Sequence, residues 1–419
     1  MIGTRIRYYR KKSGMTLEQL SEGICSVSYL SKIEHGDKSS EDTIKRLCER
    51  LGISYEDVDN QEELDEINEL LDEWYKAIRD QNINIVKDIE NNITIRLKKI
   101  EDPHPLLKYD LYKVRLLLLE RNFDGAYSLL EEVEKFKDIF TTELQYFFFH
   151  FKSIYVYYNN EDYEKTLSYL KKAEEILENK LNLSEQESAE LYYQLSLNYI
   201  YSYKIGKSIN YAYRALNIFE KNYNLKRISD CQTLLGICYR RIHNYQQTEY
   251  HYRQALKFAE LYDDDERRGI IHHNIGFVYS CQGKSKEAID HLGKSLKYRI
   301  NIDPKSRCYT LYLLAKEFLN IKETNKAQKI IYEGLSLAKK HNIKDSYFEF
   351  KILDVQINNK DCYESLLRKE AIPFFKKNNK WEHVSEFAEE LANYYYDKGQ
   401  YKSASQYYRL ANNARKEIK

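Results

Sequence analysis

Residues 235–239 read LGICY, and residues 275–279, forty positions on, read IGFVY. Each is followed at a fixed offset by a second apolar set: Tyr252 and Ala255 after the first, Ala288, Leu292 and Ser295 after the second. Stepping by about forty in either direction finds weaker copies. Leu195, Ser196 and Tyr199 lead to Ser208 and Ala215; Ile154 and Tyr157 lead to Thr166, Leu170 and Ala173; Val114 and Leu117 lead to Ala126 and Leu130. Downstream, Leu314, Ala315 and Phe318 lead to Ala327 and Ile331, and Leu391, Ala392 and Tyr395 lead to Ala404, Tyr408 and Ala411. Small residues in the first set (Gly276, Ala315, Ala392) stand twelve positions before small residues in the second (Ala288, Ala327, Ala404). That pattern predicts two antiparallel helices per repeat, packed closely where small side chains cross, with a tyrosine filling the groove beside the crossing.

The pattern resembles the tetratricopeptide repeat, with the period lengthened to about forty. Seven copies are legible, and degenerate ones near Trp74–Ile93 and Phe350–Pro373 raise the count to eight or nine over residues 66–419. The expected fold is all-α, a right-handed solenoid behind a small N-terminal domain. Composition agrees. With only 14 glycines and 4 prolines in 419 residues, a turn-rich β fold is disfavoured. A hydrophobic content of 42% excludes a disordered chain. Sixty-six basic against 65 acidic residues give a net charge of +1, so any nucleic-acid site must be a local asymmetry.

Such an asymmetry stands at the start. Residues 1–12 carry Arg5, Arg7, Arg10, Lys11 and Lys12 without an acid, whereas residues 51–75 carry ten acids without a lysine or arginine. This marks residues 1–60 as a basic head and 61–75 as an acidic linker or solvated helix. Within the head, Thr16-Leu17-Glu18-Gln19 has capping-box form. A turn at Gly23-Ile24-Cys25 follows, and Ser26 caps a helix from Val27 to His35 that Gly36 ends. A further helix is expected over Ser40–Leu51. Two helices on so short a turn, the second polar at its N-terminal end, suit the major groove.

The segment ICSVSYLSKIEHG, Ile24 to Gly36, resembles the helix-turn-helix of the phage-repressor or XRE type. That resemblance implies base reading by Val27, Ser28, Tyr29 and Lys32, phosphate-backbone contacts by Thr16 and Arg10, and a structural role for Glu34. A repressor-like head joined to tetratricopeptide-like repeats resembles the Rap–Rgg–NprR–PlcR–PrgX family of quorum-sensing regulators. The resemblance implies a cytoplasmic transcription regulator that binds an operator and a short secreted signalling peptide that re-enters the cell. Two other readings stay open beside it: a peptide-controlled receptor that inhibits a sporulation phosphorelay response regulator, and a scaffold for a partner helix.

In a solenoid of paired helices the first helices line the concave side. Candidate peptide-binding residues on that side are Tyr193, Gln194, Asn198, Asp230, Arg240, Arg241, His273, Asn274 and Tyr312. One asparagine amide can donate to and accept from an extended peptide backbone at once, which singles out Asn198 and Asn274. Arg240 and Arg241 suit a carboxylate. Catalysis has little support: the sequence has no HExxH, P-loop or GxSxG motif, and adjacent His272 and His273 cannot form an i, i+4 metal pair. No cofactor or metal is expected. The seven cysteines form no CxxC pair and read as reduced thiols. No signal peptide or bilayer-spanning run is legible. Small repressor heads pair across a two-fold axis, so a homodimer or a higher oligomer is expected, with the last helix, Tyr401 to Lys419, presenting Ala404, Tyr407, Tyr408 and Ala411 to its twin.

Overall fold

A computed structural model describes residues 2–55, 61–160, 162–179, 183–299, 303–358 and 360–418. The last five residues of the expected head, 56–60, lie outside them. The described residues form helices and no strand, and they divide into two compact units, Met1–Asn198 and Tyr199–Lys419.

The head consists of α1 (Ile2–Lys12), α2 (Leu17–Ser21), α3 (Val27–Glu34) and α4 (Glu41–Leu51). Their apolar faces meet at Ile6, Leu20, Leu30, Ile33 and Leu47, each almost fully buried. The α1–α3 crossing is so close that a Cβ on Gly3 would lie 2.1 Å from the Ile33 carbonyl oxygen, which leaves room only for glycine.

The rest of the first unit holds α5 (Gln61–Arg79), α6 (Ile83–Leu97), α7 (Pro103–Leu119), α8 (Phe123–Glu134), α9 (Thr142–Asn160), α10 (Tyr163–Asn179) and the start of α11 (Glu185–Tyr201). Among the described residues the acidic run is the solvated face of α5. Its acids Glu62, Glu63, Glu66, Glu69 and Glu73 point to water, while Ile67, Leu71, Trp74 and Ile78 are buried. Trp74 anchors the first, degenerate hairpin by donating its indole N–H to the Val86 carbonyl of α6 at 3.0 Å.

The second unit continues with α12 (Ile205–Lys221), α13 (Leu225–Arg241), α14 (Tyr245–Leu261), α15 (Asp265–Cys281), α16 (Ser285–Tyr298), α17 (Pro304–Asn320), α18 (Thr324–Lys340) and α19 (Lys344–Asn358). The short helices α20 (Tyr363–Leu366) and α21 (Ile372–Lys377) flank a π-turn at Leu367–Ala371, and α22 (Trp381–Asp397) and α23 (Tyr401–Glu417) close the chain. The small residues do what their spacing requires. Ala288, Ala327 and Ala404 are buried, and a Cβ on Gly236 would lie 2.3 Å from the ring of Tyr252 on α14. The turns carry the same period in their backbone. Left-handed residues recur at Gln81 and Arg121, then at Tyr203, His243, Gly283 and Lys322, and finally at Gly399.

Candidate functional site

Thr16 caps α2 in the expected box: its hydroxyl accepts from the Gln19 N–H at 3.2 Å, and the Gln19 amide oxygen accepts from the Thr16 N–H at 2.8 Å. Ser26 caps α3 by accepting from the Tyr29 N–H at 3.2 Å. In the first turn of α3 Val27 and Ser28 are exposed, and so is Lys32 in its last turn. Lys32 has no ion-pair partner among the described residues. Tyr29 is half-buried, and its hydroxyl accepts from the Ser40 N–H at 3.1 Å, which ties the loop after α3 to the helix. That loop also exposes Lys38, a cation the sequence reading missed. Its signal is slight, a lysine two residues past the glycine that ends α3.

Arg10 departs from the phosphate-contact expectation. Its guanidinium is buried and forms two parallel bonds to the Glu34 carboxylate at 2.5 and 2.8 Å, with a third to the Met15 carbonyl at 3.0 Å. Its guanidinium therefore serves the packing of α1 on α3 and on the loop before α2. Glu34 has the structural place expected of it.

The nine candidates on the first helices divide by what already holds them. In the first unit Gln194 and Asn198 are buried and Tyr193 is half-buried. Asn198, expected to present its amide openly, instead donates to the Tyr163 carbonyl at 3.1 Å and braces α11 on α10. In the second unit Asp230 bridges Arg267 at 2.8 Å and Arg227 at 3.2 Å. Arg241 donates to the Ile200 carbonyl at 3.0 Å and lies over the Tyr203 ring. His273 meets the Thr310 hydroxyl at 3.0 Å. Burial, with Arg299 and Arg240 nearby, pushes its pKa down to about 4, so the ring is neutral at pH 7. Tyr312 is buried edge-on against Phe350.

Two candidates keep unspent capacity. Asn274 on α15 is half-buried, and its amide makes no hydrogen bond among the described residues. Arg240 on α13 lies over the Phe277 ring at 4.6 Å without a carboxylate partner among them. An amide free to pair with a backbone and a guanidinium free to take a carboxylate thus come from neighbouring first helices. Sequence reasoning also missed two links between chain-distant residues of this unit. The Tyr203 hydroxyl donates to Glu382 at 2.8 Å, and Lys316 pairs with Glu386 at 2.8 Å. The only hint was that Glu382 and Glu386 share a face of α22.

Among the described residues no group of three or more His, Cys, Asp or Glu side chains could hold a metal ion. No helix there is long and apolar enough to cross a membrane.

Residues 6–58 match the helix-turn-helix family and residues 228–301 the tetratricopeptide repeat. Over 404 residues the chain is 34% identical to the transcriptional activator NprA of Geobacillus stearothermophilus, covering 94% of this chain and 98% of that relative. The chain belongs to the Rap–Rgg–NprR–PlcR–PrgX family. A second member of that family, regulatory protein RapD of Bacillus subtilis, is 26% identical over 342 residues, 80% of this chain and 95% of its own length. The fold agrees with a solved family structure, the apo form of the quorum sensor NprR from B. thuringiensis. The two superpose with a TM-score of 0.75 at 23% identity, over 84% of this chain and 99% of that one.

Proposed function

We propose that this chain is a cytoplasmic, non-enzymatic transcription regulator. It reads operator DNA with α3 and takes a short signalling peptide on the first-helix face of its second unit. The observation that carries the DNA reading is the exposed face of α3, with Val27 and Ser28 in its first turn and Lys32, which has no ion-pair partner among the described residues, in its last. Support for a peptide comes from Asn274 and Arg240. First helices stand about 9–10 Å apart, so three of them span ~20 Å, or about six residues of extended chain. Two copies would place two heads on a two-fold operator; sedimentation of the full chain checks that. Of the residues expected to meet the twin, Ala404 and Ala411 are buried in the packing of α23 on α22, so a contact through this helix would rest on half-buried Tyr407 and exposed Tyr408, beside Lys402, Gln406, Arg409 and Asn413.

The deciding experiment is operator binding on the gene's own upstream region, with and without a peptide encoded beside the gene. Lys32→Ala is expected to cost about 1–3 kcal/mol on the specific operator and far less on unrelated duplex. Equal losses on both would remove Lys32 from base reading. In calorimetric titration, Asn274→Ala is expected to weaken the peptide roughly ten-fold, the value of about one buried hydrogen bond. Unchanged affinity would take Asn274 out of the site.

The relatedness to RapD and to response regulator aspartate phosphatase I, 26% identical over 370 residues, favours a second activity, inhibition of a phosphorelay response regulator. Co-sedimentation with such a regulator tests it independently of the head.

A further inference from the structure

The basic residues of α1 were expected to face DNA phosphate. Arg5, Arg7, Arg10 and Lys11 face protein instead, and Lys12 stays exposed. Lys11 donates to both Asp138 carboxylate oxygens at 2.7 Å and to the Lys135 carbonyl at 2.8 Å. Arg7 pairs with the same Asp138. Burial acts to raise the pKa of that carboxyl, but Lys11 and Arg7 outweigh it and hold it below the ordinary value. Between these two cations on the helix, Tyr8 is buried, its ring 4.7 Å from that of Phe136. Arg5 is buried as well. It donates to the Ser54 carbonyl at 2.5 Å and stands 3.6 Å from Glu101, whose carboxylate accepts from the Ser54 N–H at 3.0 Å.

Helical geometry separates two faces of α1. Gly3, Ile6 and Arg10 lie within about 60° of one another and turn toward α3; Tyr8 and Lys11 lie on the far side, at about 140–160° from Ile6, and Arg7 stands between the two faces, 3.9 Å from Glu34 of α3 and paired with Asp138. One helix thus belongs to two cores, that of the head and that of the segment around α7 and α8. Meanwhile Val27, Ser28 and Lys32 stay uncovered. The contact therefore holds the head without masking the surface that reads DNA.

We infer that α1 is a fixed mount, clamping the head to the first repeats through Asp138, Phe136 and Glu101, so that the repeats set the orientation of α3. Carboxylates hold Arg5, Arg7, Arg10 and Lys11, so phosphate contacts must come from other groups such as Lys12 and Lys38. A change of shape in the first repeats then turns α3 as one body with them. The clamp itself stands independently of the DNA reading; only its consequence rests on that reading.

Zero-length carbodiimide coupling of the full chain, followed by peptide mapping, tests the clamp directly, because it joins an amine to a carboxylate only when they touch. A Lys11–Asp138 amide is expected in the wild type and lost in Lys11→Arg, which keeps the charge but not the amine. Saturating operator duplex is expected to change its yield by less than two-fold. No Lys11–Asp138 product in the free protein overturns the mount. A product that disappears when operator binds overturns it too, since phosphate would then be displacing Asp138. Full coupling in a protein that retains no duplex leaves the mount standing and sinks the DNA reading instead.

Discussion

Replacing Arg10 by methionine is expected to destabilise the head by about 3–5 kcal/mol, the usual loss when one partner of a buried ion pair is removed. Glu34 is 5% exposed and would be left without its bidentate partner. A domain of this size holds only about 3–8 kcal/mol in total, so the head would unfold early or entirely. Operator and non-specific duplex would lose binding together, in proportion to the unfolded fraction. A phosphate contact behaves differently: its removal leaves the fold intact and lowers the salt slope of binding by about one unit. Chemical denaturation followed by near-ultraviolet dichroism, together with duplex titrations at two salt concentrations, separates the two. The double variant Arg10→Met with Glu34→Leu is expected to recover much of the loss, because a well-packed apolar pair often matches a buried ionic one. An unaltered denaturation curve with a shallower salt slope would return Arg10 to the DNA surface.

The repeats were legible because their geometry constrains residue size. Where two backbones cross closely, only a small side chain fits, and a small residue twelve positions later marks the facing helix. Ala288, Ala327 and Ala404 are buried for that reason. The turns were harder to read. The left-handed position carries glycine at Gly283 and Gly399 but glutamine, arginine, tyrosine, histidine and lysine at Gln81, Arg121, Tyr203, His243 and Lys322. Helix packing on either side over-determines those turns, so the residue best suited to them is not required. The break at Leu367–Ala371 has a similar origin: an extra residue in the helical ladder leaves the apolar period nearly intact, and the sequence shows only a degenerate copy.

The candidate site was less legible because charge has no period. That Lys32 faces water while Arg10 faces Glu34 depends on where α1 crosses α3, and Gly3 fixes that crossing. Asp230 looked available as one acid on a first helix, yet Arg267, thirty-seven residues on, reaches back to it. Asn198 and Asn274 differ in the same way. Both were selected as amides on first helices, but only the first has a carbonyl of the neighbouring hairpin within reach. In the stripe of Ala404, Tyr407, Tyr408 and Ala411 the two alanines are packed on the preceding helix while Tyr408 stays 38% exposed, a division that apolar spacing alone does not show.

A second large effect is expected at Arg79→Met, and its pH dependence identifies its cause. Glu187 on α11 is fully buried. Its carboxylate accepts from Arg79 at 2.5 Å and from the Tyr75 hydroxyl at 3.1 Å, while the Tyr146 hydroxyl donates to its backbone carbonyl at 3.3 Å. Burial raises the Glu187 pKa above its ordinary 4.5, with Arg79 holding it down. Removing Arg79 lets the folded-state value climb further, and a carboxyl whose folded pKa exceeds its unfolded one loses stability as pH rises between the two. The deficit of Arg79→Met is therefore small near pH 4.5, grows by at most about 1.4 kcal/mol per pH unit, and reaches about 3–5 kcal/mol once pH exceeds the raised value. Denaturation at pH 5 and pH 8 is expected to show the larger loss at pH 8, and Glu187→Gln in the same background is expected to remove the difference between them. The pair joins α5 to a helix more than a hundred residues further along the chain. Its loss is thus also expected to loosen the first hairpin, read as faster amide exchange over α5 and α6. Equal losses at both pH values would mean that packing of the Arg79 side chain, and not the orphaned carboxylate, carries the effect.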